Sequence, residues 1–130
     1  MGIEENKRIV LAWLKAFETE PAYHLLCDDV SWWAPGMGRI SLEQFKVQMA
    51  NIYKVLRTPV YLTIDYVTAE DDRVAVEARG RSETVDGRWY ENTYHFLFIL
   101  RGGKILEQRE HCDTAHGREM LAGALLSDAK

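Results

Sequence analysis

RWYENTYHFLFILRGGKILEQREHCDT, residues 88–114, is the stretch whose reading decides the fold. It reads as two long antiparallel strands joined at Arg101-Gly102-Gly103-Lys104, because glycine at a turn centre supplies the positive φ that a two-residue hairpin needs. Successive strand residues point to opposite faces. Asn92, Tyr94, Phe96 and Phe98 therefore share one side of the first strand, and Thr93, His95, Leu97 and Ile99 the other. Both sides are apolar at the centre, which predicts cover on both. On the second strand Gln108, Glu110 and Cys112 share one face, opposite Arg109, His111 and Asp113. If Glu110 shares a face with Tyr94 and Phe96, a carboxylate looks into an aromatic-lined space.

Working outward, residues 73–85 form a strand turned into the hairpin by Asp86-Gly87, and residues 61–67 form another, closed by the acidic turn Glu70-Asp71-Asp72. These four strands make a meander. Upstream the period changes. Leu42, Phe45, Met49, Ile52, Tyr53 and Leu56 recur at helical spacing, with Ser41 and Gln44 as a capping box at the start and Pro59 as the stop. Val30–Ala34 reads as a short strand ended by Pro35-Gly36, with a loop through Met37-Gly38-Arg39. Pro21 opens a second short helix through Leu25-Leu26, broken by Asp28-Asp29, and residues 4–18 form the first helix with Ile9, Val10, Trp13, Leu14 and Phe17 on its apolar face. A final weak helix follows Thr114, diluted by Gly117 and Gly123. Helices first and strands after predict an α+β fold, helices packed on one face of a curved antiparallel sheet.

A chain of 130 residues is expected to be one domain, 1–130, with a core of ordinary size. Its 47% hydrophobic content excludes a disordered chain, and no run approaches the ~20 apolar residues of a membrane span. A net charge of −4 with no basic stripe argues against nucleic acid or an anionic membrane as partner. MGIEENKRIV carries no signal-peptide pattern, and Asn6 stands where myristoylation of Gly2 wants Ser or Thr. Two cysteines, Cys27 and Cys112, make no disulfide framework. A reduced, cytoplasmic protein is the expectation.

The order of elements, ending in VEARGRSETVDGRWYENTYHFLFILRGGKILEQREHCDT, resembles the nuclear transport factor 2-like superfamily, and within it the SnoaL-like and ketosteroid-isomerase-related branch. The resemblance covers nearly the whole chain and rests on the DG-R hairpin before Tyr90 and Asn92, the GGKI turn and the REHCDT ending. It implies a cone (the cystatin-like arrangement) in which helices close over a bent sheet and leave a deep pocket. It also implies a homodimer joined through the sheet, a small apolar molecule as ligand, and no metal or other cofactor. The positions matching a ketosteroid isomerase's base Asp, helix Tyr and hairpin acid are Ala34, Trp13 and Tyr94. A methyl group cannot take a proton, so steroid isomerisation by that route is not expected. The positions matching the Arg and two Asp of epoxide hydrolases resembling limonene-epoxide hydrolase are Arg79, Arg81 and Glu110. SnoaL-like cyclases place their acid/base carboxylate on the last strand, again at or near Glu110.

The reading that follows is a small-molecule enzyme doing acid–base chemistry: cyclisation, isomerisation, dehydration or hydration on an apolar substrate. Glu110 is the acid/base, Arg79 orients it or binds an anion, and Tyr94 donates a hydrogen bond. Glu110 can equally be half of a structural ion pair with Arg79 or Arg81, and the Glu77/Arg79/Arg81/Glu83 alternation a polar face of cross-strand pairs. Trp13, Trp32, Phe45, Met49, Tyr53, Asn92, Phe96, Phe98 and Cys112 are the candidate substrate-binding residues, weighed against plain core packing. Of the adjacent tryptophans, Trp32 is taken to face inward with Ala34, and Trp33 outward. His24, Cys27, His111, Cys112 and His116 lack any paired ligand signature, so no metal is expected. The alternative function is a non-catalytic ligand-binding or dimeric scaffold module. For the dimer, the outward side of the long strand needs a cover that the three main helices cannot supply. The competing cover is the C-terminal helix, with Met120, Leu121, Leu125 and Leu126.

Overall fold

The structure, a computed structural model, describes residues 2–121. Helix α1 (Ile3–Ala16) carries Glu4 and Glu5 in its first turn and Lys15 in its last, signs that suit the helix dipole. Its Ile9, Val10, Trp13 and Leu14 are buried. A single 3-10 turn, Tyr23–Leu25, stands where the second helix was expected. Strand β1 (Leu26–Ala34) begins at once after it and runs through Asp28 and Asp29. Those aspartates do not break the strand because both are exposed, and Asp29 is held by Arg101 at 2.5 Å. The expected loop at residues 37–39 is a turn that leads straight into a short strand, β2 (Gly38–Ser41), paired antiparallel to β1.

Helix α2 (Leu42–Val55) starts at the predicted capping box: the Ser41 hydroxyl accepts from the Gln44 N–H, and the Gln44 side chain accepts from the Ser41 N–H. Strands β3 (Tyr61–Glu70), β4 (Arg73–Glu83), β5 (Trp89–Arg101) and β6 (Lys104–Cys112) form the meander, and helix α3 (Thr114–Met120) follows. The sheet runs β2-β1-β6-β5-β4-β3. All its pairings are antiparallel except β1 with β6, which is parallel. At the β5–β6 turn Gly102 and Gly103 have φ of 59° and 78°, the left-handed values the Gly-Gly pair predicts. The β3–β4 register slips at Asp65, a bulge of the kind that bends a strand.

The three helices lie on one side of this bent sheet. Trp13 of α1 and Phe45 of α2 meet Trp32 of β1, while α3 lies against β5. A core of Val10, Trp13, Trp32, Val74, Val76, Phe96, Phe98 and Ile105 closes one end of the cone. The opposite sheet face bears Trp33, Glu77, Arg79, Arg81, His95, Leu97, Ile99, Arg109 and His111, as the strand registers require. Met120 and Leu121 do not fold over that face. They pack with Leu56 and Tyr90 at the mouth of the cone, and Leu125 and Leu126 fall outside the described residues. Among the described residues no helix is long and apolar enough to cross a membrane.

Candidate functional site

Between the helices and the inner face of the sheet lies a cavity of about 200 Å³. Its walls come from every layer: Leu14 and Phe17 of α1, Met49, Ile52 and Tyr53 of α2, Tyr90, Tyr94 and Phe96 of β5, and Gln108, Glu110 and Cys112 of β6. The α2 stripe explains why space remains. Its residues read as a core face, yet within the helix only Phe45, stacked on Trp32, is buried, while Met49, Ile52 and Tyr53 face the cavity.

Strand register places Glu110 on this inner wall, directly opposite Phe96 on β5, with Cys112 opposite Tyr94. The Cys112 thiol donates to Glu110 Oε2 at 3.9 Å. Burial among apolar groups disfavours the carboxylate and raises the pKa of Glu110 to about 7, with the thiol contact pulling the other way. Burial likewise pushes the Cys112 thiol up to about 12, helped by the neighbouring Glu110, so Cys112 is a hydrogen-bond donor and not a thiolate. Tyr94 is held well above the usual phenol range, first by burial and then by Tyr90 and Glu110. Its ring stacks on Phe96 with centroids 5.4 Å apart and planes 4° from parallel. It lies flat over β4 because Gly80 is there: a Cβ at Gly80 would stand 2.6 Å from Tyr94 Cε2.

Tyr90 forms the second half of a phenol pair. Its oxygen accepts from Asn92 Nδ2 at 2.7 Å, and the Tyr94 hydroxyl is its neighbour. Asn92 also clamps the start of α3, accepting from the Asp113 N–H and donating to the Asp113 carbonyl, each at 3.0 Å. Asp113 in turn caps α3 by accepting from the His116 N–H.

Of the sequence candidates, Glu110, Tyr94, Phe45, Met49, Tyr53, Phe96 and Cys112 come together on the cavity wall. Arg79 does not. It projects from the outer face, where its guanidinium grips Asp65 through Nε at 3.0 Å and Nη2 at 2.9 Å. Strand β5 separates its strand from β6, and Glu110 faces the other side, so Arg79 cannot orient it. Arg81 likewise pairs outward with Glu91 and lies over the Trp89 ring. Trp13, Trp32 and Phe98 are core: their side chains are consumed by packing, with Trp13 and Phe98 fully buried. The indole N–H groups of Trp13 and Trp32 both donate to Gln108 Oε1, at 2.9 and 3.1 Å. Asn92 is spent on Tyr90 and α3 and does not line the cavity. Ala34 faces in and Trp33 out, the latter against His111 with ring centroids 5.4 Å apart.

Sequence reasoning missed Tyr90, Gln108 and Arg118. Alternation with Tyr94 and Glu110 was signal enough for the first two. Arg118 lies beyond the last strand, where no periodicity points.

A bent, open sheet wrapped over helices around an apolar cavity is the architecture of the nuclear transport factor 2-like proteins. Residues 10–108 match the SnoaL-like domain, and the chain belongs to that family. Solved structures agree on the fold. An NTF2-like protein of unknown function from Burkholderia pseudomallei is 18% identical, covering 95% of this chain and 100% of its own, with a TM-score of 0.78. A provisionally assigned SnoaL-like polyketide cyclase from Jannaschia sp. CCS1 is 16% identical over 93% of this chain and 94% of its own, with a TM-score of 0.77. An LEH-like epoxide hydrolase from M. tuberculosis is 19% identical over 92% of this chain and 90% of its own, with a TM-score of 0.75. No curated protein matches the chain.

Proposed function

We propose that this protein binds a small apolar molecule in its cavity and acts on it by acid–base catalysis, with Glu110 as the proton-transferring group. The observation that carries the reading is the one carboxyl group, among the described residues, on the wall of an apolar, aromatic cavity, its pKa raised to about 7. A carboxyl poised there is populated in both protonation states at neutral pH, so it can give a proton at one atom and take one at another. Cyclisation, isomerisation, dehydration and hydration all need that exchange. The donor to a developing oxyanion is the Tyr94–Tyr90 pair. Both phenols line the cavity, and a phenol O–H turned inward can donate to a substrate oxygen. Arg79 has no part in this scheme.

Turnover of apolar and polyketide-like test compounds, compared between wild type and Glu110→Gln, tests the reading. Activity that disappears in Glu110→Gln and falls in Tyr90→Phe supports it; full turnover by Glu110→Gln removes Glu110 from the mechanism. Ligand binding with no turnover in either protein favours the non-catalytic module.

The quaternary reading rests on the outer face. Leu97 and Ile99 are half-buried there, and among the described residues the three helices lie on the other side. The expected assembly is a two-fold pair, sheet against sheet. Light scattering at micromolar concentration then reads about twice the chain's 15.0 kDa, and a mass equal to one chain overturns it.

A further inference from the structure

The core end of the cavity carries a polar group whose hydrogen bonding is half used. Gln108 of β6 is 7% exposed, pairs with Phe98 on β5 and Trp32 on β1, and lines the cavity two residues before Glu110 on the same face. An indole nitrogen can only donate. The atom on which Trp13 and Trp32 converge, at 2.9 and 3.1 Å, is therefore the carboxamide oxygen on chemical grounds. Both lone pairs of Oε1 are taken. Turning the amide over would break two hydrogen bonds at once and set an amino group against two N–H donors.

The amino group is left over. Among the described residues the side-chain hydrogen bonds of Gln108 both end on Oε1, and the neighbouring carboxyl of Glu110 is bonded by the Cys112 thiol instead. Nor is Nε2 sealed in the core: among the described residues the sealed side-chain atoms that lack a partner are Asn6 Oδ1 and Ser82 Oγ. A nitrogen that is neither bonded nor sealed, on a buried side chain that lines a cavity, opens onto that cavity. Gln108 thus offers it two N–H donors in a fixed orientation.

A fixed donor in a largely apolar space selects a ligand with an acceptor at that point, because a mismatched ligand leaves the donor buried and unpaired. Building on the reading of this cavity as a ligand pocket, we infer that Gln108 is a specificity-determining residue whose Nε2 donates to an uncharged oxygen, a carbonyl or an ether, on the ligand. The oxygen is uncharged because the carboxamide brings no charge to meet an anion and the Glu110 carboxyl stands next to it. Two residues along a strand span about 7 Å. The oxygen is therefore held at the core end, and the body of the ligand runs past Glu110. Where the oxygen sits on the ligand decides which of its atoms meets that carboxyl.

Two probes of one shape test this: 2-acetylnaphthalene, which has the carbonyl, and 2-isopropenylnaphthalene, in which a CH2 group replaces the oxygen. In equilibrium dialysis of the intact protein at pH 8, wild type binds both, and Met49→Trp, which fills the cavity, weakens both. Gln108→Glu keeps an oxygen for both indoles but loses the amide donors. It weakens the ketone at least about tenfold and leaves the alkene within about twofold. A second readout needs no variant. In proton–nitrogen NMR of wild type, the Gln108 side-chain amide, recognised by its contacts with the two indole protons, moves further downfield with the ketone than with the alkene. Should Gln108→Glu fail to fold, this signal decides alone. If Gln108→Glu leaves the two probes in their wild-type proportion, or the amide answers both alike, the acceptor assignment is overturned while the apolar pocket stands. If wild type binds neither probe, or Met49→Trp changes neither, the pocket reading falls and takes the assignment with it.

Discussion

Glu107 and Glu110 stand three residues apart on β6 and face opposite sides of the sheet, and their fates differ completely. Both are desolvated, which by itself raises a carboxyl's pKa. On the outer face Glu107 lies between Arg39 Nη1 at 2.6 Å and Arg109 Nε at 3.2 Å, and the two guanidiniums reverse the effect, holding its carboxyl below the usual range. On the inner face Glu110 has aromatic neighbours and one thiol, and stays half-protonated near neutral pH. The same side chain on the same strand becomes a fixed anion on one side and a titrating acid on the other. What decides is strand parity, because an odd spacing turns one carboxyl to the arginines and the other to the rings.

The sharpest way to break this contrast is Glu110→Gln. Loss of the proton-transferring group is expected to lower turnover by roughly 100- to 10,000-fold. Stability responds in a pH-dependent way. The folded pKa of about 7 lies above the unfolded carboxylate value of about 4.5, so the contribution is complete below the unfolded value and is lost as pH rises through 7. The difference is on the order of 3 kcal/mol. Thermal melts should therefore find Glu110→Gln close to wild type at pH 5 and clearly more stable at pH 8. Equal melting at both values breaks the picture of a desolvated acid.

Next in size is Gln108→Leu, which leaves two buried indole N–H groups without an acceptor. At about 1–3 kcal/mol per orphaned donor, a destabilisation of about 2–6 kcal/mol is expected from urea midpoints. A near-neutral result would mean that one indole finds another partner.

Gly80→Ala comes third. The new methyl must displace the Tyr94 ring, at a cost of about 1–3 kcal/mol, and weaker ligand binding should accompany the loss. Retained affinity would show that the flat Tyr94 pose matters little to the inner face.

Smallest is Arg39→Ala, under about 1 kcal/mol, because that arginine is largely exposed. A carboxyl held low contributes stability that is present above its unfolded pKa and lost as pH falls through its folded one. The variant should be slightly less stable at pH 7 and show a shallower loss on acidification. An unchanged acid profile would leave Arg109 as the partner that counts.

How much of this was legible in the chain depends on the range of the interaction. The hairpin at Gly102-Gly103, the capping box at Ser41 and the two-residue period of β5 and β6 are local, and each appeared where the residues placed it. So did the shared face of Tyr94, Phe96 and Glu110, since alternation carries through an antiparallel register. The short helix after Pro21 and the break at Asp28-Asp29 were misread for one reason. Polar residues in an exposed stretch of strand look like a loop until the neighbouring strand is known.

Sequence alone thus determined the α+β order, the meander and the sidedness of its last two strands, because backbone geometry ties those to neighbours in the chain. Which inward residues line a cavity and which fill the core was settled only by the tertiary structure. Trp13, Trp32 and Phe98 are as apolar and as inward as Phe96, yet only Phe96 of the four lines the cavity, because packing between helices and sheet fills the space around the other three. Arg79 shows the same limit in electrostatics. Two residues on different strands can both carry the right charge, but a sheet keeps its faces apart, and only the assembled register reveals that Asp65, and not Glu110, is the carboxylate this arginine holds.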